Sequence, residues 1–455
     1  MQENKTIAAI STALSPSGVG VIRVSGKDAF SICDKVFKGK SPLSGKSGGS
    51  FCYGKVYSPN GEFIDEAVAS VFVSPKSYTG EDTVELSLHG SPVLLKKALR
   101  ALLSSGASLA GRGEFTKRAM LNGKLTLTEA EAVIDIINAE SYMSARLALS
   151  NRNGALYRRI TKFSKDLYDL AGEISAVIDF PDEDLTDIPR DEISSRLISL
   201  CEDFDLLEKT FDKGEMIKKG IPITIAGRPN AGKSSIMNLL SGTEKSIVTS
   251  IPGTTRDVVE SHIILDGISF IVSDTAGIRS TENEVEKIGV ERAKEALKSA
   301  MLVLYVFDGS EPLSKEDMEI VNDLKGKTAI AVINKSDCAI REEYEEIKKA
   351  FPFFVVTSAK TGEGVEELEK VIINASGVSE LDPEKGIIAN ERQYECITIA
   401  KNALDEAAQA VKNSATFDII GLLVEEAISA LTSLTGERAS EKIIENVFSR
   451  FCVGK

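Results

Sequence analysis

The sequence predicts a chain of mixed class, α/β and α. It reads as a small mixed α/β N-terminal domain and a helical domain, with a second, parallel-sheet α/β domain inserted in the helical one. Three observations predict this. β-Branched runs bounded by Gly, Ser or Pro crowd residues 1–119. Apolar residues recur at helical spacing over 120–217 and again over 381–455. Between those tracts, residues 218–380 alternate strand-like apolar runs with helical stretches, as in a parallel sheet covered on both faces.

In the first part, GVGVIRVSG, FCYGKVYS, EAVASVFVS and DTVELSLHG read as strands, and SPVLLKKALRALLSSG reads as a helix stopped at Gly106. From Leu125 the run TLTEAEAVIDIINAESYMSARLALS predicts one long amphipathic helix, with more helix to about Lys218. The acidic, Pro-containing stretch DFPDEDLTDIPRDE interrupts it as a loop. PITIAG, VVESHIIL, ISFIVS, MLVLYVF, KTAIAVI and FPFFVVT are the strands of the 218–380 segment. Past Asn390 the helical pattern returns in ERQYECITIAKNALDEAAQAVK, FDIIGLLVEEAISALTSLTG and SEKIIENVFSRF. The two helical tracts can bury their apolar faces against each other, which makes the middle segment an insertion. The alternative is two separate helical domains in series.

A length of 455 residues suggests two to four domains, and 42% hydrophobic with 27% charged residues is ordinary for a globular chain. There is no apolar run of about 18 residues, so no membrane partner is expected. The start MQENKTIAAI lacks a secretory pattern. Six cysteines without CxxC spacing suit a reducing compartment, and the expected location is cytoplasmic. With two histidines there is little material for a His-based triad or metal site. A net charge of −14 argues against indiscriminate nucleic-acid binding. The local basic groups Arg112, Lys117, Arg118 and Lys124, then Arg146, Arg152, Arg158, Arg159, Lys162 and Lys165, read as solvated helix faces.

Four motifs then occur in order: GRPNAGKS from Gly227, DTAG at 274–277, NKSD at 334–337 and SAK at 358–360. The first lies between the strand PITIAG and the helix SSIMNLLSG, the setting a phosphate-binding loop needs. Gly227 and Gly232 permit a tight turn whose N–H groups face phosphates. Asn230, Ala231, Gly232, Lys233, Ser234 and Ser235 form the contacting run; Lys233 reaches the β- and γ-phosphates and Ser234 binds Mg²⁺. The Asp337 carboxylate accepts from guanine N1–H and N2, a donor pair that adenine lacks. Asn334 shares in choosing the base, Lys335 covers it, and Ala359, between Ser358 and Lys360, lends an N–H to the guanine oxygen. Asp274 holds Mg²⁺ through water, Gly277 senses the γ-phosphate, and Thr255 in VTSIPGTTRD gives the second Mg²⁺ hydroxyl. The segment is thus a Ras-like P-loop G domain that binds GTP.

Ile278 follows DTAG and cannot hydrogen-bond a water, so the transition-state charge and the water-orienting group come from elsewhere. A monovalent cation held by Asn230 and switch-loop carbonyls could take the place of an arginine finger. Glu282, Glu284 and Glu286 are each able to orient water, and chemistry alone does not choose among them.

On these motifs, with EVEKIGVERA, YTGEDTVEL, GEFTKRAMLNGKL and the terminal FCVGK, the whole chain resembles the MnmE/TrmE family of tRNA-modification GTPases. The resemblance implies a potassium-activated, homodimeric GTPase working with an MnmG/GidA-type flavoprotein, which alone carries FAD. Together the two add an aminomethyl or carboxymethylaminomethyl group to the wobble uridine of certain tRNAs. The one-carbon unit comes from 5,10-methylene- or 5-formyl-tetrahydrofolate. It further implies that K⁺ lies on the Asn230 side chain, the Thr254 hydroxyl and the carbonyls of Thr249 and Ile251. Glu286 becomes the water-orienting residue beside Lys233 and Asn230 in catalysis, and folate binds at Arg23, Glu81, Lys124 and Lys455. Residues 1–119 become a folate-binding and dimerisation domain. Pro252, where alanine is typical, and Val453, where isoleucine is typical, depart from the pattern. Because the expected cation ligands are carbonyls and side-chain oxygens, K⁺ binding should survive Pro252. Cys452 sits where a lipidated cysteine would, but Gly454 and Lys455 fit that signal badly. A packed, unreactive thiol is expected ahead of a catalytic one. The rival function is a ribosome-assembly GTPase switch without modifying chemistry.

Overall fold

The computed structural model of the chain describes residues 5–179, 189–242, 261–274 and 300–455. The chain forms two compact units, one of residues Met1–Ile134, Arg152–Ser194 and Asn402–Lys455, the other of Asp135–Asn151 and Ser195–Lys401.

In the first unit β1 (Ile7–Ile10), β2 (Ser17–Ser25), β3 (Phe37–Gly39), β4 (Ser50–Tyr57), β5 (Phe63–Phe72), β6 (Thr83–Gly90) and β7 (Ser108–Leu109) make one sheet in the order β3-β4-β5-β6-β2-β1-β7. All its pairs are antiparallel except β1 with β7. Alternation decides the buried face: Ile22, Val24, Ala67, Ala69, Val71, Val84, Leu86 and Leu88 turn inward beneath the Ala29–Val36 and Pro92–Ser104 helices. β1, β3 and β7 escape sequence reading because each is four residues or shorter.

The expected long helix from Leu125 is two helices, Leu127–Ile137 and Tyr142–Arg152. Capping accounts for the break. Thr126 Oγ1 accepts from Glu129 N while Glu129 answers the Thr126 N–H, a capping box that starts the first helix. Ser141 Oγ then accepts from Ser144 N and starts the second. Farther along the first unit, the Ala155–Asp179 helix packs on Phe417–Thr435, so a helix before the P-loop segment pairs with one after it. Gly421 permits this approach; a Cβ there would lie 3.3 Å from Ile174 Cγ2.

The second unit holds β8 (Ile221–Ala226), β9 (Ser261–Leu265), β10 (Ile268–Asp274), β11 (Leu302–Asp308), β12 (Thr328–Asn334) and β13 (Phe353–Val356), in the order β13-β12-β11-β8-β10-β9. All seven β11 residues are buried. Leu302, Leu304 and Val306 join one core with Ile236 and Leu368; Val303, Tyr305 and Phe307 join another with Tyr344 and Ile347. One expectation is corrected: the sheet is not wholly parallel, because β9 runs antiparallel to β10. The connection is Asp266-Gly267, with φ of 47° and 77°, the two left-handed residues of a tight hairpin turn. Flanking helices contribute here too: Phe211 stacks on Tyr394, and Lys401 pairs with Asp205 and Glu208. Among the described residues no helix is long and apolar enough to cross a membrane.

Leu86→Ala should lower the stability of the N-terminal sheet by about 2–5 kcal/mol, the range for a leucine deleted from a close-packed core. Reduced hydrogen-exchange protection of β2, β5 and β6 amides is the readout, and unchanged protection would contradict this core assignment. His89 Nδ1 lies 2.8 Å from Asp65 Oδ1, and that hydrogen bond raises the imidazole pKa above its ordinary value. The pair contributes fully at pH below the ordinary histidine range and is lost as pH rises through the raised value. A proton-NMR titration should find the His89 ring titrating high, and Asp65→Asn should bring it down.

Candidate functional site

The nucleotide-type motifs converge at the carboxyl ends of β8, β11 and β12, where open α/β sheets bind ligands. After β8 the chain turns at Gly227, whose φ is 147° and where a Cβ would sit 2.2 Å from the Val306 carbonyl oxygen. Only glycine allows that approach. Asn230 takes a left-handed φ of 63°, and its side chain is exposed. The Lys233–Gly242 helix begins immediately after the loop, with Ser234 and Ser235 exposed on its first turn. Its free N–H groups and dipole favour an anion there. Lys233 Nζ donates to the carbonyls of Gly227 and Arg228, both at 2.8 Å, and arches over the loop.

Asn334, 1% exposed at the end of β12, ties the motifs together. Its Nδ2 donates to Ala231 O at 2.8 Å and its Oδ1 accepts from Ala359 N at 2.9 Å. At Gly232 a Cβ would meet Asn334 Nδ2 at 2.1 Å, so the loop glycine makes room for the asparagine. The Ala359 N–H, expected on a guanine oxygen, is thus directed at Asn334. Asp337 Oδ1 accepts from Ser358 Oγ at 2.8 Å, and Lys360 Nζ lies 3.5 Å from Oδ2. The Ser358 bond, then the Lys360 charge, hold its pKa below the usual carboxylate range. It is therefore an acceptor at neutral pH.

Sequence reasoning missed Asp308. Its Oδ2 lies 2.5 Å from Lys335 Nζ, and its Oδ1 accepts from Ser310 N and Oγ. Burial pushes the Asp308 carboxyl up, but the Lys335 and Ser310 hydrogen bonds outweigh it and the pKa falls. The Asp308 bond raises the Lys335 pKa in turn. Lys335 has a φ of 67°, so its left-handed backbone and pinned ammonium fix where the stem lies. The available signal was an acid ending a wholly apolar strand, LYVFD.

Asp274 ends β10. Thr249, Ile251, Pro252, Thr254, Thr255, Gly277, Ile278, Glu282, Glu284 and Glu286 lie outside the described residues. Among the described residues no cluster of three or more His, Cys, Asp and Glu could hold a metal ion.

In the first unit Glu81 lines two cavities, of about 290 and 520 Å³. Arg118 corrects the expectation of a solvated helix face: it lines both with Glu81 and is nine-tenths buried. Its Nη1 donates to the Glu81 carboxylate at 3.1 and 3.2 Å, its Nη2 to Glu114 at 2.9 Å, and Ser25 Oγ to Glu81 at 2.7 Å. Lys124 flanks the smaller cavity: its Nζ donates to Pro75 O, and its Cγ would stand 3.5 Å from a Cβ on the cavity residue Gly80. Arg23 is absent from both cavity walls; its Nε bonds Glu85, and its guanidinium lies over the Tyr78 and Phe115 rings.

The terminal FCVGK is held by Phe451, which is buried, and by Gly454, where a Cβ would lie 2.2 Å from Ile10 O. Val453 bridges Arg112, a residue of the larger cavity, and Lys455 follows without lining either. Cys452 is exposed, which corrects the expectation of a packed thiol. Its neighbour Phe451 takes the buried place, and its own carbonyl accepts from Gly113 N.

The family model described as the MnmE helical domain matches residues 127–452, a range that encloses the P-loop segment, and that of the TrmE N-terminus matches 6–124. The tRNA modification GTPase MnmE of Acetivibrio thermocellus is 38% identical over 459 residues, covering 100% of both chains. That of Thermoanaerobacter pseudethanolicus is 40% identical over 456 residues, covering 99% of both. A crystal structure of Aquifex aeolicus Era bound to GDP and AlF4 shares 30% identity over 40% of this chain and 66% of that one, with a TM-score of 0.27.

Asn334→Ala should weaken guanine-nucleotide affinity by about ten- to a hundredfold, because the buried Ala231 carbonyl and the part-buried Ala359 N–H lose their partner. A fluorescent-GDP titration measures it, and an unchanged Kd would remove Asn334 from the site's support.

Proposed function

The chain belongs to the MnmE family of tRNA modification GTPases, and we propose that it hydrolyses GTP as one half of a two-protein system that modifies the wobble uridine of certain tRNAs. The observation that carries the GTP reading is the Asn334 tie, which joins a phosphate loop to the loop bearing Ala359, beside the ionised Asp337. That carboxylate accepts both guanine donors, and an adenine would leave it unpaired.

The residues present suit the ions this function calls for. The exposed Ser234 hydroxyl and Asn230 amide are the neutral oxygen donors that hard cations take. Ser234, Thr255 and, through water, Asp274 would hold Mg²⁺; Asn230, Thr249, Ile251 and Thr254 would hold K⁺. Both ions supply positive charge to phosphate oxygens. Lys233 binds the phosphates, Lys335 flanks the base on its Asp308 anchor, and Glu286 orients the attacking water.

Folate, as 5,10-methylene- or 5-formyl-tetrahydrofolate, binds at the N-terminal cavities. The Glu81 carboxylate, fixed by Arg118 and Ser25, accepts from a pterin edge, and Lys124 flanks the same wall. Arg23 and Lys455 belong to the folate set that the resemblance implies but line neither cavity. A second copy of the chain is the partner of the outer sheet face, where Phe51, Tyr53 and Val68 lie exposed on adjoining strands. The flavoprotein of the MnmG/GidA type brings FAD and acts with this chain on tRNA. The ribosome-assembly alternative accounts for the G motifs but gives the N-terminal cavities no task.

Steady-state GTP hydrolysis should be strongly faster in KCl than in NaCl at equal ionic strength. Asn230→Ala should abolish that difference while GTP still binds. Equal rates in the two salts would remove the cation mechanism, and unchanged stimulation in the variant would move the cation elsewhere.

A further inference from the structure

Two lysines at the smaller N-terminal cavity have no task in the folate set above. Lys5 precedes β1 and Lys27 follows β2, and both line that cavity. Their closeness is built by a glycine. Gly26 has a φ of 136°, and a Cβ there would lie 2.7 Å from Thr6 Cα, so only glycine lets the start of β1 press against this turn. Thr6 Oγ1 then accepts from Asp28 N at 3.0 Å, which staples the two segments with Lys5 and Lys27 on either side of the contact. Both side chains are exposed, and neither makes an ion pair among the described residues.

The other charges of this wall are engaged. Arg118 is held by Glu81 and Glu114, and Asp82 Oδ1 accepts from Ser74 N. The cavity therefore has a floor whose charged groups are already hydrogen-bonded and a rim with two ammonium groups that make no ion pair among the described residues. A neutral ligand would leave that rim idle, whereas a ligand extended by a chain of carboxylates would use it. Lys carries its charge on a long flexible stem, which suits a mobile anionic tail better than a fixed carboxylate fork would.

We propose that Lys5 and Lys27 form a subsite for the oligo-γ-glutamyl tail of the folate, so that this cavity selects the polyglutamylated cofactor over the monoglutamate. The proposal rests on the folate reading of the Glu81 site. The Glu81 to Arg118 pair divides the two cavities, and the tail lies on the Lys5 and Lys27 side, away from Arg112 and Lys117.

The test is calorimetric titration of the full chain with the mono- and triglutamate forms of 5-formyltetrahydrofolate at low and moderate salt. The triglutamate should bind about fivefold tighter at low salt, a few partly exposed ion pairs' worth, with the gain shrinking as salt rises. The double variant Lys5→Ala, Lys27→Ala should lose that gain and keep the monoglutamate Kd. Lys117→Ala should keep the gain. Equal affinity of the wild type for both forms would overturn the tail subsite and leave the folate reading intact. Loss of the gain in Lys117→Ala, with the double variant unaffected, would overturn it by moving the tail to the larger cavity. No binding of either form would remove the folate reading and the subsite together.

Discussion

The nucleotide site depends on one buried amide. Asn334 donates to the phosphate loop and accepts from the 358–360 loop, and at 1% exposure it has no water to fall back on. Two loops far apart in sequence are thereby held in one register. The constraint reaches back into the glycine pattern, because Gly232 can carry no Cβ where Asn334 Nδ2 lies. It reaches sideways as well: the Gly309 N–H donates to the Asn334 carbonyl, which ties the turn bearing Asp308 to the same strand end. Phosphate loop, base loop and Lys335 anchor are a single hydrogen-bonded assembly resting on a sheet buried on both faces.

That assembly separates two jobs that a carboxylate can do. Asp308 is mostly buried and spends its charge on Lys335 and Ser310; Asp337 is more exposed and keeps acceptor capacity after bonding Ser358. The first fixes geometry and the second is available to a ligand. Both pKa values fall, for different reasons. At Asp308 burial works against ionisation and is outweighed by partners, whereas at Asp337 the Ser358 bond leads. A lowered pKa therefore accompanies a structural role in one case and a recognition role in the other, and burial distinguishes them.

Legibility in the sequence followed the range of the interactions. Long β-branched runs such as MLVLYVF, and GRPNAGKS between strand and helix, are local patterns and read directly into β11 and the phosphate loop. The failures came where a short signal competes with a long one. Helical periodicity ran through Ala139 and Ser141, but Ser141 caps a new helix, and a two-residue Asp266-Gly267 turn reversed a strand that its composition alone leaves undirected. Arg118 and Asp308 were illegible for another reason. Glu114 and Ser310 lie close to them in sequence, but the partners that make them anchors, Glu81 and Lys335, stand 37 and 27 residues away and leave no local pattern. Cys452 looked like a candidate for packing, and only the placement of Phe451 decides that the aromatic ring goes in and the thiol stays out.

The Arg118 pairing gives the N-terminal cavities their chemical character. A guanidinium nine-tenths buried is costly unless its donors are met, and two carboxylates meet them here, Glu81 from one side and Glu114 from the other. The arrangement leaves one more negative than positive charge in the cluster, so its unspent capacity is acceptor capacity. It lies on Glu81, whose orientation is fixed further by the Ser25 hydroxyl. A ligand edge with two donors meets a carboxylate already held in place and loses little in ordering it. The positive groups that complement an anionic ligand are kept at the rim, on Lys5, Lys27 and Lys124, where solvation costs little. Donor recognition on the floor and anion recognition at the rim follow from where each charge can be tolerated: the Glu81 acceptor can be part-buried because the Arg118 guanidinium offsets its desolvation, and the lysines keep their charge at the exposed rim.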